Sequence, residues 1–368
     1  MRSVVVVLLV VAWVIPHFII MLPVVLLPSD RLFRFFSFDR RIVASYFRLW
    51  AFIFEYFGNV KLYFYGDALD CLQRRERVLL ILNHQSTADA YVPALFMMRK
   101  NAEGTLRWLV HAAAKFIPLA GWQAYQTGFL FAHSGSFQQS QFIQDLKYFT
   151  ESLSPEFCIT LTPEGTRYRI DEAGLKSISK SNDYMRQIVL KGDYTYVLCP
   201  RFRAFLTMME NVRALGKLDA VYDMTIAYTS DLQPKAGRCA NAPGVLDLVV
   251  SDSVQRVHIF VRRFSVEHIS SDEDDLPYWL LSRFRVKDEM LRSYYSSPKD
   301  GSNPEDVFPE FLEEAEKIPL GTVVSSLIVP ALWLFLMIKF KLVLVISLLS
   351  VFVAAPICVL YLLVKHFM

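Results

Sequence analysis

Apolar positions cluster along this chain on two length scales. Near the two ends the apolar runs are long, at 4–27, 318–338 and 342–364. Each is near the ~20 residues that a helix needs to cross a bilayer. In between, the runs are short. Segments 77–82, 106–110, 128–132, 157–161, 195–199, 221–228 and 256–264 are of strand length and bounded by polar turns. Segments 87–99, 136–153 and 182–191 read as helices, as does 276–295 through Trp279, Leu280, Phe284, Met290 and Leu291. This alternation predicts an α/β domain, a mixed sheet flanked by helices.

The run at 4–27 reads as a retained membrane anchor, because it is long and no small-x-small cleavage site follows it. Its prolines, Pro16 and Pro23, are kinks that lipid-embedded helices tolerate. Arg31, Arg34, Arg40 and Arg41 then form a basic flank that the positive-inside rule keeps in the cytosol. Only Lys339, Phe340 and Lys341 separate the two later runs, which predicts a transmembrane or re-entrant hairpin. Segment 42–65, aromatic and interrupted by Arg48, Glu55 and Lys61, reads as an interfacial helix. The expected parts are 1–65 (anchor and interfacial helix), 66–300 (α/β domain) and 301–368 (linker and hairpin).

Composition agrees with membrane attachment. Apolar residues make up 54% of the 368 and gather toward the ends, so the excess is not an oily core. A formal charge of +3 without a Lys/Arg stripe argues against nucleic acid as a partner. Cys71, Cys158, Cys199, Cys239 and Cys358 contain no C-x-x-C pair, which fits reduced thiols rather than a zinc site.

Two polar islands interrupt the apolar middle. Asn83-His84-Gln85-Ser86-Thr87-Ala88-Asp89 follows the run at 77–82, and Thr162-Pro163-Glu164-Gly165-Thr166-Arg167 follows that at 157–161. Both lie at carboxyl ends of expected strands, where open α/β sheets bind ligands. On one continuous helix His84 and Asp89 would diverge by about 140°. They meet only if His84 stays on the strand-to-helix turn and Asp89 sits in the first helical turn, with Ser86 as cap. Asp89 then orients one ring nitrogen and leaves the other as a general base. Ser86 and Thr87 serve as capping residues, and one His with one Asp is too few ligands for a metal. In the second island Pro163 and Gly165 bracket Glu164 in a tight turn, and Arg167 is a planar cation suited to phosphate. Alone, each island is ordinary: a helix-start acid near a surface histidine, or a charged Pro-Gly turn. Together they supply a base, its orienting acid and an anion site, which points to acyl transfer.

The two islands resemble the first and third signature blocks of the glycerolipid acyltransferases. Gly128-Phe129-Leu130-Phe131 and Val197-Leu198-Cys199-Pro200 fall where the second and fourth would be. The wider resemblance is to the epsilon-type 1-acylglycerol-3-phosphate acyltransferases and the lysocardiolipin branch. It includes Pro200-Arg201, Asp219 to Asp223, Val286 to Leu291 and the hairpin near 340. The resemblance implies that His84 takes the proton of a lysophospholipid hydroxyl, which attacks acyl-coenzyme A directly. It also implies that Glu164, Gly165, Thr166 and Arg167 position the acceptor, with Arg167 on its phosphate. No metal, dissociable cofactor or protein partner is implied. The endoplasmic reticulum is the default site, with mitochondria or nuclear envelope as the family's alternatives, and the catalytic domain faces the cytosol.

Two departures concern the acceptor. The family's second block usually ends in Arg, where this chain has Ser134 after His133. A Lys usually stands where this chain has His111, seven residues before Pro118 of the Pro118…Gly121 turn. Lys115, four residues after His111, would share its face on a helix and stand in for the missing charge. A lost charge-assisted phosphate bond costs roughly 1.5–3 kcal/mol. The expected acceptor is lysophosphatidate or a related lysophospholipid. The alternative is a catalytically weak membrane scaffold or lipid-binding protein that retains the fold.

Overall fold

The computed structural model of the chain describes residues 2–25, 38–117, 120–132, 142–144, 146–147, 150, 156–188, 193–229, 242–252, 254–270, 272, 274–296, 307–354, 356–357 and 359–360. In chain order the elements used below are α1 (Arg2–Val25), α2 (Phe38–Ala51), β1 (Lys61–Gly66), α3 (Ala68–Gln73), β2 (Arg77–Leu82), α4 (Val92–Met98), β3 (Leu106–His111) and α5 (Ala120–Gln126). They continue with β4 (Leu130–Ala132), β5 (Phe157–Leu161), α6 (Glu172–Ile188), α7 (Phe202–Ala214), β6 (Ala220–Thr229), α8 (Val245–Val250) and β7 (Arg256–Ser265). The last are α9 (Asp275–Ser296), β8 (Phe311–Glu314), α10 (Leu320–Val324), α11 (Ile328–Lys339) and α12 (Lys341–Leu349). These elements fall into two bodies. One comprises Phe54–Lys100 and Pro155–Lys317, and the other Met1–Ile53, Asn101–Ser154 and Ile318–Met368.

In the first body the short apolar runs become a mixed sheet in the order β5-β2-β6-β7-β1-β8. β2 lies between β5 and β6 and is parallel to both, whereas β6 and β7 are antiparallel. Every residue of β5 and β6 is buried, as are 78–82 of β2. That explains why these strands are apolar on both faces instead of alternating. On one helix the periodicity is direct: Phe205, Met208, Met209 and Val212 of α7 are buried at helical spacing. Phe205 stacks on Trp279 of α9 with ring centroids 5.7 Å apart. Each such side chain contributes about 1.5–3 kcal/mol by leaving water.

The second body holds the parallel pair β3–β4 and the long apolar helices. Trp13 of α1 donates to Ser45 Oγ of α2 at 3.0 Å. Across the break at Phe340, Trp333 of α11 donates to Ser347 Oγ of α12 at 3.2 Å, so these two helices form a hairpin. Arg2–Ile19 and Leu320–Lys339 are long and apolar enough to cross a membrane. Ile338, Leu342 and Phe352 are 81%, 69% and 73% exposed, an apolar surface that water does not favour.

Several elements differ from the sequence reading. Segment 42–65 is not one interfacial helix: α2 ends at Ala51, Asn59 takes a left-handed φ of 49°, and 61–66 is β1. Its aromatic residues suit a pleated strand once β7 and β8 lie alongside. The helix expected at 87–99 splits into a 3₁₀ turn at Thr87–Ala90 and α4. Pro93 has no N–H and its ring clashes with a carbonyl four residues back, so one helix cannot run through it. The helix expected at 182–191 begins earlier, at Glu172, where Asp171 caps the Gly174 amide at 2.8 Å. No strand forms at 195–199, and α7 and β8 were not anticipated. β1 and β8 lie outside the expected limits 66–300, because a sheet recruits strands by pairing rather than by proximity in sequence. Ser134 and much of the 136–153 segment lie outside the described residues.

Candidate active site

β2 ends in an asparagine that extends the sheet by side chain. Asn83 Nδ2 donates to Ile226 O at 2.9 Å, and Ile226 N donates to Asn83 Oδ1 at 2.8 Å, both on β6. Beyond it the backbone turns away, so His84 does not enter a helix. Ser86 caps the 3₁₀ turn by accepting from Ala88 N at 2.9 Å, and Asp89 in that turn reaches back to the Gln85 and Ser86 amides at 2.7 and 2.8 Å. The same Asp89 oxygen takes His84 Nδ1 at 2.9 Å. Its other oxygen accepts the hydroxyl of Tyr228, on β6. Burial holds the Tyr228 phenol well above its usual range, with Asp89 adding to the effect, so it stays a donor. Asp89 is 1% exposed and fully hydrogen-bonded, while the His84 side chain is 24% exposed. Among the described residues His84 Nε2 has no hydrogen-bond partner.

The second island is bonded directly to the first. Glu164 is buried at 2% exposure and takes His84 N on one oxygen at 2.6 Å and Leu198 N on the other at 2.7 Å. In return Tyr168 N donates to His84 O at 2.7 Å. Burial raises the Glu164 carboxyl well above its ordinary value, and the two amides oppose that shift. Gly165 has φ +72°, a conformation that costs a side-chain-bearing residue energy. Gly165 and Thr166 are exposed and Arg167 is half-exposed.

The 195–199 segment is held in place from α9. Asp288 Oδ1 accepts from the amides of Thr195, Tyr196 and Val197 at 2.7, 2.6 and 3.3 Å. Those amides are unavailable to a sheet ladder, which is why the apolar run does not become a strand. Beside it on α9, Lys287 pairs with Asp223 and donates to Met224 O at 2.6 Å. Burial lowers the Lys287 ammonium and Asp223 opposes that shift.

The acyltransferase family model matches residues 67–227, which contain both islands, and the acyltransferase C-terminus model matches residues 249–333, which contain Lys287 and Asp288. Residues 67–227 belong to the acyltransferase family. It is 28% identical to 1-acyl-sn-glycerol-3-phosphate acyltransferase epsilon of Mus musculus over 262 residues, 71% of this chain and 68% of the relative. Probable 1-acyl-sn-glycerol-3-phosphate acyltransferase 5 of Arabidopsis thaliana is 29% identical over 282 residues, 74% of this chain and 69% of the relative. Lysocardiolipin acyltransferase 1 of Mus musculus is 25% identical over 260 residues, 71% of this chain and 64% of the relative. Among solved structures, the 1-acyl-sn-glycerophosphate acyltransferase PlsC from Thermotoga maritima superposes with a TM-score of 0.40 at 17% identity, covering 81% of this chain and 100% of that one.

Within this acyltransferase, His84, Asp89 and the 164–167 turn form one bonded cluster in the first body. Glu164 differs from its expected role against the acceptor, because its carboxylate points inward to two backbone amides. Lys115 belongs to the other body, in a 3₁₀ turn at Ala112–Phe116, with its ammonium 4.8 Å from the Phe131 ring centroid and 5.6 Å from that of Tyr125. His111 is the cap of that turn and accepts from Ala113 N at 3.1 Å. The shared face expected for His111 and Lys115 presumed an α-helix. A 3₁₀ turn eclipses residues three apart instead.

Tyr228 and Asp288 were missed by sequence reasoning. A tyrosine in a buried strand needs an acceptor for its hydroxyl, which was a signal. Phe284, Lys287, Asp288 and Leu291 lie on one helical stripe, so two charges sat on an apolar face that water does not reach.

Proposed function

We propose that the chain transfers an acyl group from acyl-coenzyme A to a free hydroxyl of a lysophospholipid, lysophosphatidate or a relative of it. The observation that carries this reading is the His84 Nδ1–Asp89 contact at 2.9 Å, with Asp89 buried and saturated and Nε2 left without a partner among the described residues. Asp89 holds the neutral ring with its proton on Nδ1, so Nε2 is the basic nitrogen. His84 takes the proton of the lysolipid hydroxyl on Nε2 while that oxygen attacks the thioester carbonyl. The tetrahedral intermediate collapses, the C–S bond breaks, and the imidazolium returns the proton to the departing thiolate. Glu164 positions His84 through its backbone amide, and Gly165, Thr166 and Arg167 offer an exposed surface to the acceptor's phosphate. The names of the Mus musculus and Arabidopsis thaliana relatives support a lysophospholipid acceptor.

The same reading includes attachment to a membrane, the endoplasmic reticulum first, with the catalytic body facing the cytosol. Two helices of sufficient length and apolarity support attachment. The test uses the full chain in detergent or lipid discs, with labelled acyl-coenzyme A and a panel of lysophospholipids that includes lysophosphatidate and lysocardiolipin. His84→Ala is expected to lower turnover by at least about 10³-fold, with the folded content unchanged by circular dichroism. Turnover like that of the wild type in that variant ends the proposal.

A further inference from the structure

The arginine that follows Pro200 lies beside the 162–167 turn. Arg201 N donates to Pro163 O at 2.8 Å, which fastens its backbone to the 162–167 turn. Its side chain then lies across Gly165: a Cβ placed there would meet Arg201 Cδ at 3.2 Å, Nε at 3.3 Å and Cζ at 3.5 Å. Gly165 is therefore favoured for its positive φ, and a side chain there would also press on the Arg201 side chain.

The charges around this arginine are unbalanced. Arg201 is exposed and Arg167 half-exposed, and among the described residues neither pairs with an acid. Arg169, two residues on, does have such a partner in Asp171 at 3.5 Å. Glu164, which sits in the same turn, is turned inward to the His84 and Leu198 amides and leaves the outer face cationic. A surface arginine alone is unremarkable. This one is locked by backbone to the turn that bonds to the His84 backbone, and it borders Gly165, two residues before Arg167.

We propose that Arg201 is a second phosphate-binding residue of the site, acting across Gly165 with Arg167 on a phosphate group of one substrate. Two planar forks on one phosphate give charge-assisted bonds and a fixed orientation. This rests on the acyl-transfer reading above. The phosphate is either that of the lysolipid headgroup or the 3′-phosphate of coenzyme A, and the experiment separates these sources.

Steady-state kinetics are measured for wild type, Arg201→Ala and Arg201→Lys in the full chain. Acceptors are lysophosphatidate and phosphate-free monoacylglycerol, and donors are acyl-coenzyme A and its analogue lacking the 3′-phosphate. Arg201→Ala is expected to raise the KM for lysophosphatidate by about 10- to 100-fold, with partial recovery in Arg201→Lys. Turnover with monoacylglycerol and the thermal unfolding temperature should not change. A KM increase confined to acyl-coenzyme A, and lost with the analogue, also supports the phosphate contact and assigns it to the donor. Unchanged KM values in an active protein overturn the proposal, as does an equal loss with monoacylglycerol and with the donor lacking its 3′-phosphate. Absence of transfer by the wild type to every acceptor instead overturns the reading beneath it, a result distinguishable from failure at Arg201.

Discussion

The buried acids and the exposed arginines of the site belong to the same bonded pair of loops, yet their charges are held in opposite ways. Asp89 and Glu164 are 1% and 2% exposed, and both oxygens of each accept hydrogen bonds. Arg201 is exposed and Arg167 half-exposed, and among the described residues neither pairs with an acid. A saturated buried carboxylate cannot change partner cheaply, so it suits a task that must be set before substrate arrives. An unpaired exposed guanidinium loses little on meeting an anion. On the proposed reading, the buried side preorganises the base and the exposed side captures substrate.

The largest expected effect tests the buried side. Asp89→Asn keeps the shape and removes the charge, and should lower turnover by about 10³–10⁴-fold, with the acceptor KM little changed. A mainly KM effect would break the distinction. Next comes Asp288→Ala, which strips three backbone amides of their acceptor. It should destabilise the protein by about 3 kcal/mol or more, read as the midpoint of denaturant unfolding in detergent. Asp288→Asn, which keeps an acceptor oxygen, should recover most of that loss.

On the exposed side Arg167→Ala should raise the acceptor KM by about 10- to 100-fold, while the unfolding temperature stays within a degree or two of wild type. A substantial drop in stability would show that Arg167 is structural after all. The smallest effect sharpens the account of the buried side. His258 hydrogen-bonds Tyr65 and Thr229 at 2.8 Å each, and burial pulls its imidazole down to about 3. Between that value and the ordinary 6.5 the unfolded chain binds the proton and the folded one does not. Stability contributed by this group is therefore complete above pH 6.5 and falls as pH drops, by up to about 1.4 kcal/mol per unit. Thermal unfolding from pH 7 to pH 5 should show this slope, and His258→Gln should flatten it.

Much of the central sheet was legible because burial on both faces leaves a continuous apolar run. β2 and β5 appear at their expected positions, and β6 and β7 differ by a residue at their ends. The His84–Asp89 juxtaposition was legible too, because Ser86 marked where a turn must begin. The 195–199 segment was not, since an apolar run does not reveal that a carboxylate 89 residues beyond its last member Cys199 competes for its amides. β1 and β8 were hidden for a related reason. Aromatic residues suit a strand or a membrane interface equally, and only a partner strand decides between them.

By itself the sequence determined the alternation of strands and helices, the apolar ends, and the two islands with their histidine, aspartate and arginine. Those properties follow from local periodicity, capping and residue chemistry, which need no distant partner. Tertiary structure alone decided that Glu164 faces inward to the His84 and Leu198 amides, that Tyr228 completes Asp89, and that Arg201 lies across Gly165. Each joins positions between 34 and 139 residues apart. For Glu164 and Tyr228 the physical reason is the same: a buried polar group must find a partner, and which partner is within reach depends on how strands pair and helices pack.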